Sequence, residues 1–390
     1  MELNENLIYE ISKYVTTTEV ELQDPTVEGG TMGLAIFYYY CNLFFNEDIF
    51  IEKAESMIEK SIKSLSEITN QTTFKPKYIG DSISNVISSF GKGLLFIEDN
   101  FNYNFDYLHS EITDILKYLL EKDIERQDYD IFSGALSSSY YFYNRYYHSK
   151  CEDLLSKENL KKAYEGTKNS AIYFNENEIY WKAPSYSDKV YLGLSHGSAM
   201  MINFWTKLYN LDIIDSNDSI ILLDKAVNFI INRKRNFTDG YFPHRVFTNE
   251  IVEKTSLSMC YGDLGILYSL AQANNILKDE RYHKMIQDML HTTSLRLQED
   301  HLTFDASILY GSAGLSYLFD YFISESKFNI SSNTLEYWNR QLLYYKKYHI
   351  VGKNNINCSF AWGLSGIGIR LMQLQNKNLP SIKELLLTGI

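Results

Sequence analysis

His196 stands immediately before a glycine in the run Gly193-Leu-Ser-His-Gly197. Imidazole is the side chain that takes up and returns protons near neutral pH. Other chemically capable residues hold similar places. Cys260 and Tyr261 run into Gly262, Leu309 and Tyr310 run into Gly311, and Asp130 lies four residues before Gly134. If these glycines share one edge of the molecule, a base, a carboxylate, a thiol and two phenols face a common pocket. Singly, each has an ordinary explanation. A histidine beside a helix start is commonly a hydrogen-bonding neighbour of the cap, a lone cysteine is usually a small buried hydrophobe, and an aspartate before a helix is usually a cap. The repeated placement makes them a set.

The elements that must position them follow from the same glycines. A Gly-x-x-Gly-like turn followed by an apolar stretch begins at Gly30, Phe90, Gly134, Gly197, Gly262, Gly311 and Gly363, so the copies are 44 to 65 residues apart. Each interval holds one helical hairpin and its loops. Phe105, Leu108, Ile112, Ile115, Leu116 and Leu119 recur at three- and four-residue steps, as do Leu264, Leu267, Ala271, Asn274 and Leu277, which predicts amphipathic helices. Only five prolines agree with a mostly helical chain. We therefore expect an all-α fold: seven hairpins closed into an α/α toroid, a barrel with the Gly-rich turns at one rim and residues 1–390 as one domain. An open helical solenoid is the alternative. The stretch 233–255 breaks the helical pattern and is expected to be a non-helical insertion, extended or looped.

Length alone, at 390 residues, would suggest two or three domains, but a closed repeat architecture can reach this size as one. A chain that is 45% hydrophobic and 22% charged is globular rather than disordered. The 15% aromatic content, with 32 tyrosines, fills interhelical gaps and could line a pocket for an apolar peptide. The net charge of −12 argues against a nucleic-acid partner, and the basic run Arg233-Lys234-Arg235 is too short to change that. No apolar run reaches the roughly 18 residues of a transmembrane segment, and the opening residues lack a secretory pattern. Cys41, Cys151, Cys260 and Cys358 form no CxxC pair, so a reduced, cytoplasmic protein is expected.

Four pieces now acquire a specific resemblance: Gly193-Leu-Ser-His-Gly197, Cys260-Tyr-Gly through Gly265, Tyr241-Phe-Pro243 upstream of it, and the closing run Trp362 to Ile369. Together they resemble the lanthionine synthetase C-like (LanC-like) cyclase family, over nearly the whole chain from Gly30 to Gly368. The resemblance implies a toroid of seven hairpins and thioether ring closure in lanthipeptide-type biosynthesis. There a peptide cysteine adds to a dehydroalanine or dehydrobutyrine of a ribosomally made peptide. The implied partners are that precursor peptide, with its leader and dehydrated core, and a dehydratase.

The same resemblance implies a zinc site, which this sequence does not keep. Cys260 matches the first zinc-ligand position, but the Cys-His pair of the next repeat reads Leu309-Tyr310. Ser256 and Met259 replace the family's usual arginine and tryptophan. No metal cofactor is therefore expected, unless His301 and Asp305, just upstream, rebuild the Zn2+ site. His196, Asp130 and Tyr261 do match. The resemblance thus implies proton transfer by His196; beside it we expect Asp130 to pair with His196 and Tyr261 or Tyr310 to donate a hydrogen bond to the developing enolate. Cys260, Ser256 and Leu309 are expected to line the substrate site. Without zinc, a cysteine thiol with a pKa near 8.5 is about one tenth thiolate or less, a deficit of about 1.5 kcal/mol that a positioned base can offset. The alternative is an inactive relative that binds the leader or scaffolds a dehydratase. A carbohydrate-processing toroid would need a second rim carboxylate beside Asp130.

Overall fold

Two kinds of helix alternate along the chain. In the computed structural model, which describes residues 5–17, 24–69, 82–214, 216–235, 240–248, 255–297, 303, 305–326, 328–350 and 356–389, one kind is buried nearly all round. These helices are α2 (Thr31–Phe45), α4 (Ile83–Phe101), α6 (Ala135–His148), α8 (Ser198–Asn210), α10 (Asp263–Leu277), α12 (Ser312–Ser324) and α15 (Leu364–Gln375). The other kind buries one stripe: α1 (Glu5–Thr17), α3 (Ile49–Thr69), α5 (Asp106–Glu125), α7 (Leu154–Asn169), α9 (Asn217–Ile231), α11 (Glu280–Ser294) and α13 (Ser332–Gln341), with a short α14 (Tyr345–His349). A helix that is apolar all round has to sit inside, and a striped one has to cover it. In α5, for example, Ile112, Leu116 and Leu120 are buried, whereas Ile115 is 39% exposed and lies off the buried stripe.

Each inner helix packs on the outer helix that follows it, and the ring closes because α15 packs on both α12 and α2. The seventh inner helix takes its outer partner from the other end of the chain, α1. Tyr140 of α6 and Phe204 of α8 meet edge to face, 6.0 Å apart, and Tyr140 donates to Asn203 Oδ1 at 3.3 Å. The architecture is the expected helical toroid.

Five of the turns before the inner helices share one construction. A short polar residue six positions before the capping glycine folds a loop back over the helix start. Asp24, Asp128, Ser256, Asp305 and Asn357 each accept a backbone N–H two residues on through the side chain. Each also accepts a first-turn N–H through its carbonyl, as from Ala135 to Asp128 at 2.8 Å. The loop lies so close that a Cβ at Gly134 would overlap the Asp128 carbonyl, and one at Gly311 the Asp305 backbone and carboxylate. The backbone at both glycines is extended, a conformation open to any residue, so close approach rather than dihedral freedom selects glycine.

The second repeat differs from the sequence reading. Gly91 and Gly93 lie well inside α4, which begins after Ser82, whose hydroxyl accepts the Asn85 N–H at 3.1 Å. These glycines admit the Tyr141 ring and Met32 to the helix surface instead of forming a turn.

Strands are few among the described residues. The pair β1 (Ile172–Asn175) and β2 (Glu178–Tyr180) is antiparallel, as is the pair β3 (Val190–Tyr191) and β4 (Arg245–Val246). Within 233–255, the described parts past the first turn are extended or looped and include β4; 236–239 and 249–254 lie outside the described residues. At the end away from the turns, the segment 376–389 crosses the inner helices. Ile382, Leu385, Leu386 and Leu387 are buried there, and Tyr40 and Tyr268 donate to Pro380 O and Gly389 O.

Candidate active site

Because every inner helix starts at the same edge, the residues just before the capping glycines converge. His196, Tyr261, Tyr310 and Trp362 hold one repeat position, the residue preceding Gly197, Gly262, Gly311 and Gly363. His196 and Tyr261 have ring centres 5.5 Å apart, and Tyr261 stacks on Tyr310 at 6.2 Å.

Asp130 stands two residues past the turn residue Asp128, where other repeats carry Thr26, Ser258, Ser307 or Ser359. Its Oδ1 accepts the N–H groups of Phe132 at 2.8 Å and Ser133 at 3.3 Å. Its Oδ2 lies 2.6 Å from His196 Nδ1. An ionised carboxylate only accepts, so Nδ1 carries the proton and Nε2 is the nitrogen left for a substrate. Asp130 is 3% and His196 9% exposed, so this short pair sits almost out of water.

Four aromatic rings surround the imidazole: Phe132 at 5.6 Å, Tyr186 at 4.2 Å, Tyr191 at 5.7 Å and Tyr261. Tyr191 belongs to β3, which in this repeat replaces the polar turn residue. Tyr186 comes from the 3-10 turn Pro184–Tyr186, which Ser185 fastens to the rim by donating to Asp128 Oδ2. His244, from the stretch leading into β4, lies 5.6 Å from Tyr261, and burial, helped by Arg245 and Arg235, lowers its pKa.

Cys260 is 2% exposed. Burial pushes its thiol up to about 12, against hydrogen bonds from Ser195 and Tyr310 that pull it down. Its carbonyl accepts the N–H groups of Leu194 at 3.0 Å and Ser195 at 3.3 Å, which joins the fourth and fifth turns. Burial also raises the Tyr261 and Tyr310 phenols, so both are protonated donors at neutral pH.

The other sequence candidates hold structural places. Leu309 is core, its N–H donating to Ala361 O. Ser256 and Asp305 are turn residues of the repeated construction, which gives each a structural task. Sequence reasoning missed Tyr186, Tyr191, His244 and the place of Trp362. Trp362 was within reach, since counting back one residue from each capping glycine selects it with His196.

Comparison with known proteins sharpens this picture. A sequence profile described as "Lanthionine synthetase C-like protein" matches residues 21–387. The chain belongs to that family. Among solved structures, the LanC-like chain is similar to one described as "Nisin cyclase", at 17% sequence identity with a TM-score of 0.71. That likeness spans 98% of this chain and 96% of the other, and it is a likeness of fold. No curated protein matches in sequence.

The zinc that the LanC-like resemblance implied does not suit these residues. Cys260 is a possible donor, but its repeat-mates are Leu309 and Tyr310. Asp305 Oδ1 accepts the Ser307 N–H at 2.8 Å, and the neighbouring His349 uses Nε2 to accept the Ala306 N–H at 3.2 Å. His301 lies outside the described residues. Among those described, no three His, Cys, Asp or Glu side chains gather to hold a metal ion.

Proposed function

We propose that this LanC-like chain closes thioether rings in a ribosomally made peptide, adding a cysteine thiol to dehydroalanine or dehydrobutyrine without zinc. The observation that carries the reading is the 2.6 Å contact between Asp130 and His196 at a rim lined with protonated phenols. Family membership supplies the reaction class, and the cyclase named as its structural relative agrees with it.

In this reading, His196 Nε2 takes the thiol proton as the peptide sulfur bonds to Cβ of the dehydro residue. The π electrons move onto the adjoining carbonyl as an enolate. The imidazolium, held by Asp130, returns the proton to Cα. One S–H bond and one π bond are lost, one S–C and one C–H bond are gained, and nothing is oxidised. Of Tyr261 and Tyr310, Tyr261 has its ring beside the imidazole, 5.5 Å away, and suits donation to the enolate oxygen. Tyr310 turns toward Cys260 and Trp362, with which it shares hydrogen bonds. The ring cage around His196 excludes water from the pair, so proton transfer needs little solvent rearrangement. The partners of this reading are a precursor peptide and the dehydratase that supplies its dehydro residues.

A second reading, an inactive relative that binds the leader or scaffolds a dehydratase, draws support from the sealed Cys260 thiol and the incomplete zinc-ligand set. One experiment separates them. Chelator-treated protein is mixed with a dehydrated, cysteine-containing peptide, and free thiol is followed by alkylation and mass spectrometry. Enzyme-dependent loss of thiol that disappears in His196→Ala supports the cyclase. Binding of the peptide with no thiol loss, or full activity in His196→Ala, overturns the assignment. Activity that returns only with added zinc overturns the metal-free part alone.

A further inference from the structure

At the far end of the toroid, a cavity of about 460 Å³ opens between the C-terminal ends of α4, α6 and α8 and the crossing segment 376–389. Lys207 of α8 lines it, ten residues past the capping Gly197 and hence about 15 Å along the helix from the rim. The two sites are therefore separate.

Among the charged groups of this cavity, Lys383 pairs with Glu325 outside it, and Lys207 is the cation with no carboxylate of the described residues beside it. His148 contacts Asp99 through Nδ1 and lies 3.2 Å from Glu384 through Nε2, so both carboxylates already face a cationic partner. The carboxylates hold His148 toward its protonated form, and its pKa is raised despite burial. For the Lys207 ammonium, no carboxylate of the described residues comes within ion-pair distance. It lies over the ring of Tyr143 at 5.1 Å, with Glu384 acting from farther away. Burial pushes this amine down to about 8. The C-terminal dipole of α8 offers only a fraction of a unit charge. Beside the amine, Tyr143 and Tyr147 stack in parallel, 6.4 Å apart and 9° between planes, forming a flat apolar wall.

We infer that this cavity is a ligand site for a small monocarboxylate with a flat apolar body, its carboxylate on Lys207 and its body against Tyr143 and Tyr147. The volume lies in the range of small-molecule sites. Asp99 and Glu384 in the wall disfavour a second negative charge, which selects a monoanion over a phosphate ester. The inference is independent of the thioether chemistry at the rim.

Isothermal titration of the full chain with 3-phenylpropionate, and with its neutral isostere 3-phenylpropanamide, tests it. We expect saturable binding of the acid and about tenfold or more weaker binding of the amide, as for one lost charge-assisted hydrogen bond. Lys207→Met should weaken the acid to a similar degree and leave the amide unchanged, while Lys207→Arg should keep most of the affinity for the acid. Equal affinities for acid and amide, unchanged acid binding in Lys207→Met, or no binding of the acid up to about 10 mM would each overturn the site. The comparison of acid with amide uses unaltered protein, so it holds even if the methionine variant folds poorly.

Discussion

Asp130 and His196 come from turns 66 residues apart, yet Oδ2 of one lies 2.6 Å from Nδ1 of the other. The contact depends on Asp130 using its second oxygen to close its own turn on Phe132 and Ser133. An amide at residue 130 can still accept those N–H groups while losing the charge that holds an imidazolium. Asp130→Asn should therefore fold with an unchanged melting temperature and slow single-turnover ring closure by about 10²- to 10⁴-fold. A rate within a few-fold of the parent would mean that the carboxylate only shapes the turn.

The cysteines should separate by burial. Cys151 is exposed, whereas Cys41, Cys260 and Cys358 are buried. With its thiol pushed up to about 12, Cys260 is neutral at every physiological pH and a poor nucleophile. Iodoacetamide at pH 8 should label Cys151 and spare Cys260 in the folded chain. The sign for stability follows. A thiol titrating near 8.5 when unfolded and near 12 when folded contributes stability in full below about 8.5 and loses it as pH rises toward 12. Cys260→Ala should flatten that alkaline slope in urea titrations relative to the parent. Rapid labelling of Cys260 at pH 8 would show that the rim opens.

Asp263, the first residue of α10, ties the Tyr241-Phe242 stretch to the rim. It accepts both of those N–H groups and pairs with Arg296 at 3.0 Å, all nearly without exposure. Burial outweighs these partners and lifts its carboxyl to about 6. Removing one member strands the other charge, so Asp263→Ala should cost about 3–5 kcal/mol of unfolding free energy in denaturant titration. A loss below about 1 kcal/mol would mean that Arg296 reaches solvent or another partner.

Ala at Gly311 would press on the Asp305 backbone and carboxylate, and we expect it to cost about 3 kcal/mol or more by overpacking. The double variant Gly311→Ala, Asp305→Ala should not recover the parent's stability, because the backbone clash remains. Full recovery would assign the glycine to side-chain space instead.

The inner helices were legible because a stretch that is apolar all round has few places to go, and capping glycines mark where six of the seven begin. Gly91 and Gly93 misled the reading for a physical reason. Close packing of a ring on a helix face calls for the same missing Cβ as a tight turn, and composition does not separate the two. The residue six before five of the caps escaped notice because Asp, Ser and Asn do the same work there with different side chains. Ser256 and Asp305 are turn residues of the repeated construction, a task their spacing from the caps could have revealed. Tyr186 and His244 come from non-periodic segments, so no spacing pointed to them. That Asp130 and His196 face one rim followed from their places just ahead of capping glycines and from the family resemblance, although their distance did not.

The packing of α1 on α15 carries a consequence for how the chain is made. Tyr345 and Lys346, near the start of the last hairpin, also reach back to Glu10. On the ribosome, α1 emerges well before its partner α15, separated by about 20–80 s of synthesis at 5–20 residues per second. Throughout that interval the growing wall ends in an unpartnered apolar edge, and no earlier hairpin can seal it. Such long-range closure is slow and leaves partly built chains prone to self-association. A circular permutant that places α1 directly after α15 would make that last contact local, and would be expected to reach the closed ring sooner after release.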